Sequence, residues 1–182
     1  MKKFTFMQKL RNKIKIKGQN KLFIAKKAKI IGCRISIEGE NNTLTIEEGS
    51  VVRLATLEIL GDNCSLYIGK NCIVGHGCYL SVKEGKVLHI GEECMLSRNA
   101  KLMTSDGHFI YKNNQIINIG ADIFLQNRVW LADNVTILKG VQIGEGSVVG
   151  INATLTKSIP SQTIAVGNPA KIVQENIDRW EA

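Results

Sequence analysis

The sequence of 182 residues has few aromatic residues and almost no proline. Phe, Trp and Tyr together make up 5% of it, and proline occurs twice. Because hydrophobic residues still make up 44%, the core must consist of aliphatic side chains, alanine and cysteine. No apolar run approaches the roughly 18–20 residues that a membrane helix needs. Long stretches of helical periodicity are also scarce, which excludes bundles, coiled coils and two-domain enzymes with large parallel sheets and long crossover helices.

Disulfide and metal frameworks are missing as well. The five cysteines are an odd number and include no Cys-x-x-Cys pair, so neither a disulfide scaffold nor a cysteine zinc site is expected. A reducing cytoplasm is the simplest setting for them. The first residues are basic but lack the apolar segment and cleavage site of a secretory signal. His76, His89 and His108 lack the close pair of a three-histidine zinc site, so we expect no metal.

Charge is unevenly distributed. The formal net charge is +8, eleven basic residues lie between Lys2 and Lys29, and the first acidic residue is Glu38. We therefore predict a basic N-terminal arm over residues 1–29, within which apolar residues at spacings of three and four favour a short amphipathic helix. The arm is either a solvated segment or a site of attraction to an anionic partner: a membrane surface, an acidic polysaccharide or a phosphorylated carrier. No nucleic-acid-binding motif accompanies the charge, so nucleic acid is not expected.

A six-residue period runs through the rest of the chain. A helix cannot produce it, whereas a prism of three short strands per coil requires one inward aliphatic residue per face, or 18 residues per coil. Shorter runs recur upstream, where Cys72, Cys78 and Cys94 occupy the fifth position of the unit, which predicts a packing role for them. The aliphatic series with this period is Ile119, Leu125, Leu131, Ile137, Ile143, Val149 and Leu155.

The main interruption of the period lies between Leu102 and Ile119, and we predict a projecting loop over residues 103–118. Loops that leave a rigid scaffold commonly hold functional residues. This one contains Asp106 and His108. A neutral histidine can take a proton from an acceptor hydroxyl or amine, and a carboxylate can hold the imidazole in the required tautomer.

The last coils hold the most specific local pattern. It reads Thr156-Lys-Ser-Ile-Pro160 followed by Gly167-Asn-Pro-Ala-Lys171, and a Val129-Trp-Leu-Ala132 segment precedes it. With these motifs the sequence resembles the hexapeptide-repeat acyltransferase family, and within it the bacterial sugar and capsular polysaccharide O-acetyltransferases. The resemblance extends from about residue 46 to residue 171. It implies an all-β fold, a left-handed parallel β-helix, which works as a homotrimer with active sites between neighbouring prisms.

The resemblance also implies roles for individual residues. His108 matches the general base of the family, Asp106 is the candidate to orient its ring, and Trp130 matches a tryptophan beside the catalytic pocket. Acetyl-CoA is the implied co-substrate. The positions that match its contacts are Ala132, Asp133, Gly150, Ile151, Thr156, Lys157 and Lys171.

The expected organisation is a basic arm (1–29), a β-helix acyltransferase domain (30–170) and a C-terminal helix (171–182) that packs Trp180 on the coils. The expected function is acetyl-CoA-dependent O-acetylation of a sugar hydroxyl in a cell-surface glycan, by direct transfer, in the cytoplasm or at the inner face of the membrane. Two alternatives stay open. One is N-acetylation of a nucleotide-linked amino sugar or acetylation of an antibiotic, and the other is a non-catalytic trimeric scaffold.

Overall fold

The structure, a computed structural model, describes residues 4–181. Within them the chain forms one short helix followed by a stack of coils, most of which are built from three short strands. The stack is the left-handed parallel β-helix that the sequence predicted. In chain order the elements are α1 (Phe6–Arg11); β1 (Lys13–Lys17), β2 (Lys21–Ile24) and β3 (Lys29–Ile31) in coil 1; β4 (Arg34–Glu38), β5 (Thr43–Ile46) and β6 (Val51–Arg53) in coil 2; β7 (Thr56–Leu60), β8 (Ser65–Ile68) and β9 (Ile73–Val74) in coil 3; β10 (Tyr79–Lys83), β11 (Val87–Ile90) and β12 (Met95–Leu96) in coil 4; β13 (Lys101–Met103), the hairpin β14 (Tyr111–Lys112) and β15 (Gln115–Ile116), then β16 (Ile123–Leu125) and β17 (Trp130–Leu131) in coil 5; β18 (Thr136–Ile137), β19 (Gln142–Ile143) and β20 (Val148–Val149) in coil 6; β21 (Thr154–Leu155) and β22 (Ile164–Gly167) in coil 7; and the final β23 (Ala170–Gln174).

Parallel pairing between successive coils produces three flat faces. Face A contains β1, β4, β7, β10, β13, β18 and β21; face B contains β2, β5, β8, β11, β16 and β19; face C contains β3, β6, β9, β12, β17, β20 and β22. β23 turns back and pairs antiparallel with β22 at the edge of face C. The turns between faces form three edges of the prism, which we name the A/B, B/C and C/A corners.

A single aliphatic column fills the prism. The inward series from Leu125 to Leu155 is buried at every position, and so is the fifth-position series from Ile123 to Ile159. All five cysteines are free and buried, which fits the predicted packing role. Ile119 was wrongly placed in the inward series: it is 61% exposed, because it still lies in the loop and strand β16 begins only at Ile123.

Coil length changes along the stack. Thr136 pairs with Thr154, 18 positions on, as the six-residue period requires. Towards the N-terminus the coils are longer, since Arg34 pairs with Thr56, 22 positions on. The extra residues lengthen the strands on faces A and B to four or five residues. In these longer strands, residues still alternate between pointing into the column and pointing outward. The exact period of six residues is lost.

Both ends of the chain differ from expectation. The solenoid begins at Lys13, so the basic segment over 1–29 is largely the first coil and not an arm. The predicted short helix is present as α1, and residues 1–3 of the segment lie outside the described residues. The C-terminal helix expected over 171–182 is wrong within the described part, since Ala170–Gln174 forms β23 and residues 175–181 are not helical. Ile177 N instead donates to Gln162 O over 3.0 Å, and Trp180 Nε1 donates to Arg128 O over 2.7 Å.

Candidate functional site

The loop that contains His108 is closed at its base. Ala121 N donates to Thr104 O over 2.9 Å, so the loop leaves coil 5 and returns to it at one point of the A/B corner. Glu84, on the same corner of coil 4, accepts from Gly120 N over 2.7 Å and from the Ser105 hydroxyl. These two hydrogen bonds, that of Ser105 first, lower the pKa of the Glu84 carboxyl. One carboxylate therefore ties both ends of the loop to the preceding coil.

Asn118 and Lys139 organise the interior of the loop. Asn118 Nδ2 donates to Asp106 Oδ2 over 2.9 Å and to His108 O over 2.8 Å. Lys139, on the A/B corner of coil 6, forms an ion pair with Asp106 and donates to Asn118 O over 2.7 Å. The ammonium group of Lys139 and then the amide of Asn118 hold the pKa of Asp106 below its usual range. The backbone of His108 is thus connected to both neighbouring coils.

His108 itself projects into solvent. Its carbonyl oxygen is held by Asn118, but its imidazole makes no hydrogen bond with any residue among positions 4–181 of a single chain. The expectation that Asp106 orients the ring is not met in this arrangement, because Oδ2 of Asp106 is engaged by Lys139 and Asn118. The ring is therefore free to meet groups from outside the chain.

The tip of the loop is a tight hairpin of β14 and β15. Asn113 and Asn114 connect the strands with φ angles of 51° and 59°, a left-handed backbone that asparagine adopts more readily than most residues. Next to it, Phe109, Ile110 and Tyr111 are all more than half exposed. The loop therefore presents an apolar surface beside His108.

The other two histidines lie apart from this loop. The His89 ring lies on face B and stacks on Tyr67 with ring centroids 4.6 Å apart and planes 4° apart. Burial in this stack lowers the pKa of His89. His76 lies at the C/A corner, where its carbonyl accepts from Asn99 N over 2.9 Å. No group of three His, Cys, Asp or Glu side chains in the described range could hold a metal ion.

Trp130 lies on face C and not beside the loop of its own chain. It is half-buried, its Nε1 donates to Ser97 Oγ over 3.1 Å, and its ring lies 5.9 Å from that of Trp180. Trp180 also borders a pocket of about 350 Å³ at the B/C corner, between Arg128 and Gly146. Trp180 thus packs on the coils, as predicted, although no helix presents it.

Most of the predicted cofactor positions gather at the C/A corner of the last coils. Ala132 and Asp133 lie there in coil 5, and Gly150 and Ile151 lie above them in coil 6. A Cβ atom on Gly150 would lie 2.7 Å from Val166 Cγ1, so a larger residue here would require the Val166 side chain to move. Lys171 pairs with this same Val166 across the final hairpin, which brings the lysine to the corner.

Charge at this corner comes from an ion pair as well as from Lys171. Arg98 donates to Asp133 from its backbone N over 2.8 Å and from Nε over 2.9 Å. The guanidinium group and this N–H lower the pKa of Asp133. Ile151 is exposed, so its side chain points away from the column while its backbone remains at the corner.

Thr156 and Lys157 are not part of that group. They follow β21 and lie exposed at the A/B corner, on the same edge of the prism as Lys139. His108 and the C/A cluster occupy different edges, so one chain does not bring the predicted base and the main predicted cofactor positions together. Glu84, Asn118 and Lys139, which shape the loop, were missed by the sequence analysis because no motif marks them.

The role of Glu84 can be tested against a matched glutamate. Glu84 and Glu93 both have φ near 60°. The side chain of Glu93 is exposed and lies beside no inserted loop. We expect Glu84→Ala to speed hydrogen exchange at Gly120 at least ~10-fold, because a charge-assisted hydrogen bond is lost. Glu93→Ala should leave that exchange unchanged. If both substitutions change the exchange rate of Gly120 equally, its protection comes from backbone geometry and not from the Glu84 carboxylate.

The same protection should depend on pH in a defined direction. The folded pKa of Glu84 lies below its ordinary value of 4.5. The protection that the ionised carboxylate gives to the Gly120 N–H is therefore complete above pH 4.5. It is lost as the pH falls through the lower pKa of the folded state. Exchange at Gly120, corrected for its intrinsic pH dependence, reports this loss.

Comparison with known proteins gives both short and nearly full-length matches. No protein-family model matches the chain. A Schizosaccharomyces pombe protein named as an acetyltransferase is 48% identical over 62 residues, which is 34% of this chain and 30% of that protein. The Escherichia coli protein WbbJ, named as a lipopolysaccharide biosynthesis O-acetyl transferase, is 47% identical over 53 residues, or 29% and 27% of the two chains. The matched segments thus span about a third or less of these relatives' own length.

Solved structures match over nearly the whole chain. The polySia specific acetyltransferase NeuO superposes with a TM-score of 0.72 at 29% identity, covering 94% of this chain and 89% of that one. The polysialic acid O-acetyltransferase OatWY superposes with a TM-score of 0.65 at 30% identity, covering 94% and 91%. Together with the six-residue period and the coil architecture, this nearly complete match shows that the chain belongs to the hexapeptide-repeat acyltransferase family.

Proposed function

We propose that the protein is an acetyl-CoA-dependent O-acetyltransferase that modifies a sugar hydroxyl of a cell-surface glycan. The observation on which this rests most is the free imidazole of His108 on a loop whose backbone is tied to coils 4 and 6. The choice of a glycan acceptor is supported by the solved relatives, named as polysialic acid acetyltransferases, and by WbbJ. The five free thiols fit a reducing compartment, where acetyl-CoA is made.

The proposed chemistry is a direct transfer. The imidazole of His108 accepts the proton of the sugar hydroxyl while the oxygen attacks the thioester carbonyl of acetyl-CoA. The carbon–sulfur bond then breaks, and the departing thiolate of CoA takes up the proton from the imidazolium. An acyl-enzyme on cysteine is not part of the proposal, because the five cysteines are all buried in the column.

We place the active site between two copies of the chain. His108 lies on the A/B corner, whereas Trp130 and the cofactor cluster lie on face C and the C/A corner. A trimer of prisms sets the A/B corner of one copy against another face of its neighbour, which brings the two halves together. The exposed Phe109, Ile110 and Tyr111 beside His108 supply apolar surface for such a contact.

The C/A corner suits the binding of CoA. The small side chains of Ala132 and Gly150 leave room along this corner for an amide-rich arm, and Lys171 can meet a phosphate as a point charge. Thr156 and Lys157 are proposed to reach the cofactor from the A/B corner of the adjoining copy. No step of the reaction requires a metal ion.

The assignment of Lys171 predicts a defined kinetic change. Lys171→Ala should raise the KM for acetyl-CoA up to ~5-fold at low ionic strength, which is about 1 kcal/mol for an exposed charge pair. The effect should shrink at high salt, because exposed charges are screened. Lys21→Ala removes an exposed lysine from coil 1 and serves as the control. A salt-independent change, or the same change in both variants, would contradict a phosphate contact.

The reaction class is tested by thiol release from acetyl-CoA with a panel of sugars and glycans. We expect release that depends on a hydroxyl acceptor and an acetylated product that hydroxylamine cleaves, as it cleaves esters. A product that resists hydroxylamine would point to an amine acceptor and N-acetylation. If the protein binds acetyl-CoA and glycan but releases no thiol, it is a non-catalytic scaffold, and the proposal is overturned.

A further inference from the structure

Helix α1 closes the end of the aliphatic column with polar side chains. Gln8 Nε2 donates to Ala28 O over 3.3 Å, and Asn12 Nδ2 donates to Ile30 O over 2.9 Å. Asn12 Oδ1 also accepts from Cys33 N over 2.7 Å. Phe4, two residues before the helix, is buried as part of the hydrophobic core and is 5% exposed. These contacts satisfy backbone groups of coils 1 and 2 and fix the helix on the end of the prism.

The opposite side of α1 is apolar and faces solvent. Phe6 is 80% exposed and Leu10 is 71% exposed, and Met7 beside them is half exposed. Phe6 and Leu10 are four positions apart, so they share one side of the helix, turned away from Gln8 and Asn12. An amphipathic helix of a globular protein normally shows the reverse arrangement. We name Phe6, Met7 and Leu10 the outer apolar patch.

Basic residues lie on α1 and on the adjoining part of coil 1. Lys9 and Arg11 lie on α1, Lys26 lies in the B/C turn of coil 1, and Lys29 begins β3. None of these four forms an ion pair within residues 4–181. A groove of about 430 Å³ separates α1 from coil 1, and Met7, Arg11, Lys26 and Lys29 are among the residues that line it. Exposed apolar side chains among unpaired cations are typical of interfacial membrane-binding segments.

We propose that this end of the prism docks on the surface of a bilayer that contains anionic phospholipid. Phe6 and Leu10 enter the boundary between headgroups and acyl chains, and the cations on α1 and coil 1 contact the lipid phosphates. A second copy of the chain is the weaker candidate, because two such ends have the same charge and repel each other. Residues 4–181 contain no helix that could cross a bilayer. The proposed contact is at the membrane surface, through the six-residue helix α1 on the end of the prism.

The proposal has a geometric consequence that rests on the proposed function. His108 projects from coil 5, and neighbouring coils are spaced by the ~4.8 Å that separates paired strands. Four coil spacings therefore place the loop roughly 20 Å from the docked end. At that height the site meets sugars several units along a lipid-anchored glycan and not the lipid headgroup.

Vesicle flotation tests the docking without reference to activity. The full chain is mixed with vesicles of phosphatidylcholine, or with vesicles in which about a third of the lipid is phosphatidylglycerol. We expect binding to the anionic vesicles to be at least ~10-fold stronger and to weaken with added salt. Phe6→Ser/Leu10→Ser should reduce it at least ~10-fold. Lys26→Glu/Lys29→Glu should remove the preference for anionic lipid while leaving the patch in place.

A matched control removes apolar surface elsewhere. Ile172 and Val173 are exposed on β23, at the other end of the stack. Ile172→Ser/Val173→Ser should bind vesicles like the unaltered protein, and circular dichroism melting should show all variants folded. Equal binding to both kinds of vesicle, or unchanged binding of Phe6→Ser/Leu10→Ser, would overturn the proposal. So would lipid-free self-association, seen by sedimentation velocity, that only Phe6→Ser/Leu10→Ser abolishes, because the patch would then bind a second copy.

Discussion

Replacing His108 with alanine is expected to lower kcat at least ~100-fold, the usual loss when a general base is removed. The imidazole makes no hydrogen bond within the described chain, so the thermal midpoint and the KM for acetyl-CoA should stay close to those of the unaltered protein. Steady-state kinetics with a glycan acceptor that the enzyme acetylates measure kcat and KM, and a melting curve measures the thermal midpoint. Activity within a few-fold of the unaltered enzyme would remove His108 from the mechanism.

Asp106→Asn separates two interpretations of this loop. In the single chain Asp106 contacts Lys139 and Asn118, so its loss should loosen the loop and reduce kcat less than His108→Ala does. A loss as large as that of His108→Ala would mean that Asp106 turns to the imidazole in the assembled enzyme and forms an obligatory dyad.

The second large effect is expected at Ile137, on the stability of the fold. Ile137 is fully buried in coil 6, between Leu102 of coil 5 and Leu155 of coil 7. Ile137→Asp would place an unpaired carboxylate in the aliphatic column, at a cost of several kcal/mol. A domain is stable by only about 5–15 kcal/mol, so we expect little or no folded, soluble protein.

Ile119 provides the matched control for this substitution. It belongs to the same six-residue series in the sequence, but it is mostly exposed. Ile119→Asp should therefore retain the circular dichroism spectrum and a cooperative melting transition. Similar behaviour of Ile119→Asp and Ile137→Asp would show that the register of the column has been assigned incorrectly.

The sequence predicted the column well because stacking imposes a strict rule on inward positions. Each coil must present aliphatic or small side chains to the coils on both sides, and from Leu125 to Leu155 this rule is visible as an uninterrupted period. Coils 1 to 4 obey the same rule with longer strands. Their corners fall at unequal intervals, so the period breaks and part of the first coil was assigned to an arm.

The site was predictable only as far as its residues lie in contiguous motifs. His108 and Lys171 are proposed as site residues in this way. The partners of Asp106 and Gly120 were not predicted, because Lys139 and Glu84 lie on other coils, 33 and 36 positions away. The loop makes coil 5 longer than its neighbours, so no fixed repeat length shows which residues stack beneath it. The C-terminal segment, predicted to be a helix, instead forms β23, which extends face C by antiparallel pairing with β22.

The closed base of the His108 loop has a consequence for how such enzymes diversify. Thr104 and Ala121 lie in direct hydrogen-bond contact, and the ladder on face A continues from Lys101 to Thr136 as if the intervening loop were absent. An insertion whose ends already meet adds little strain to the scaffold, and its length is nearly free to change. Selection can then change the loop tip, and with it the proposed acceptor, while the proposed cofactor corner on a different edge of the prism is inherited unaltered.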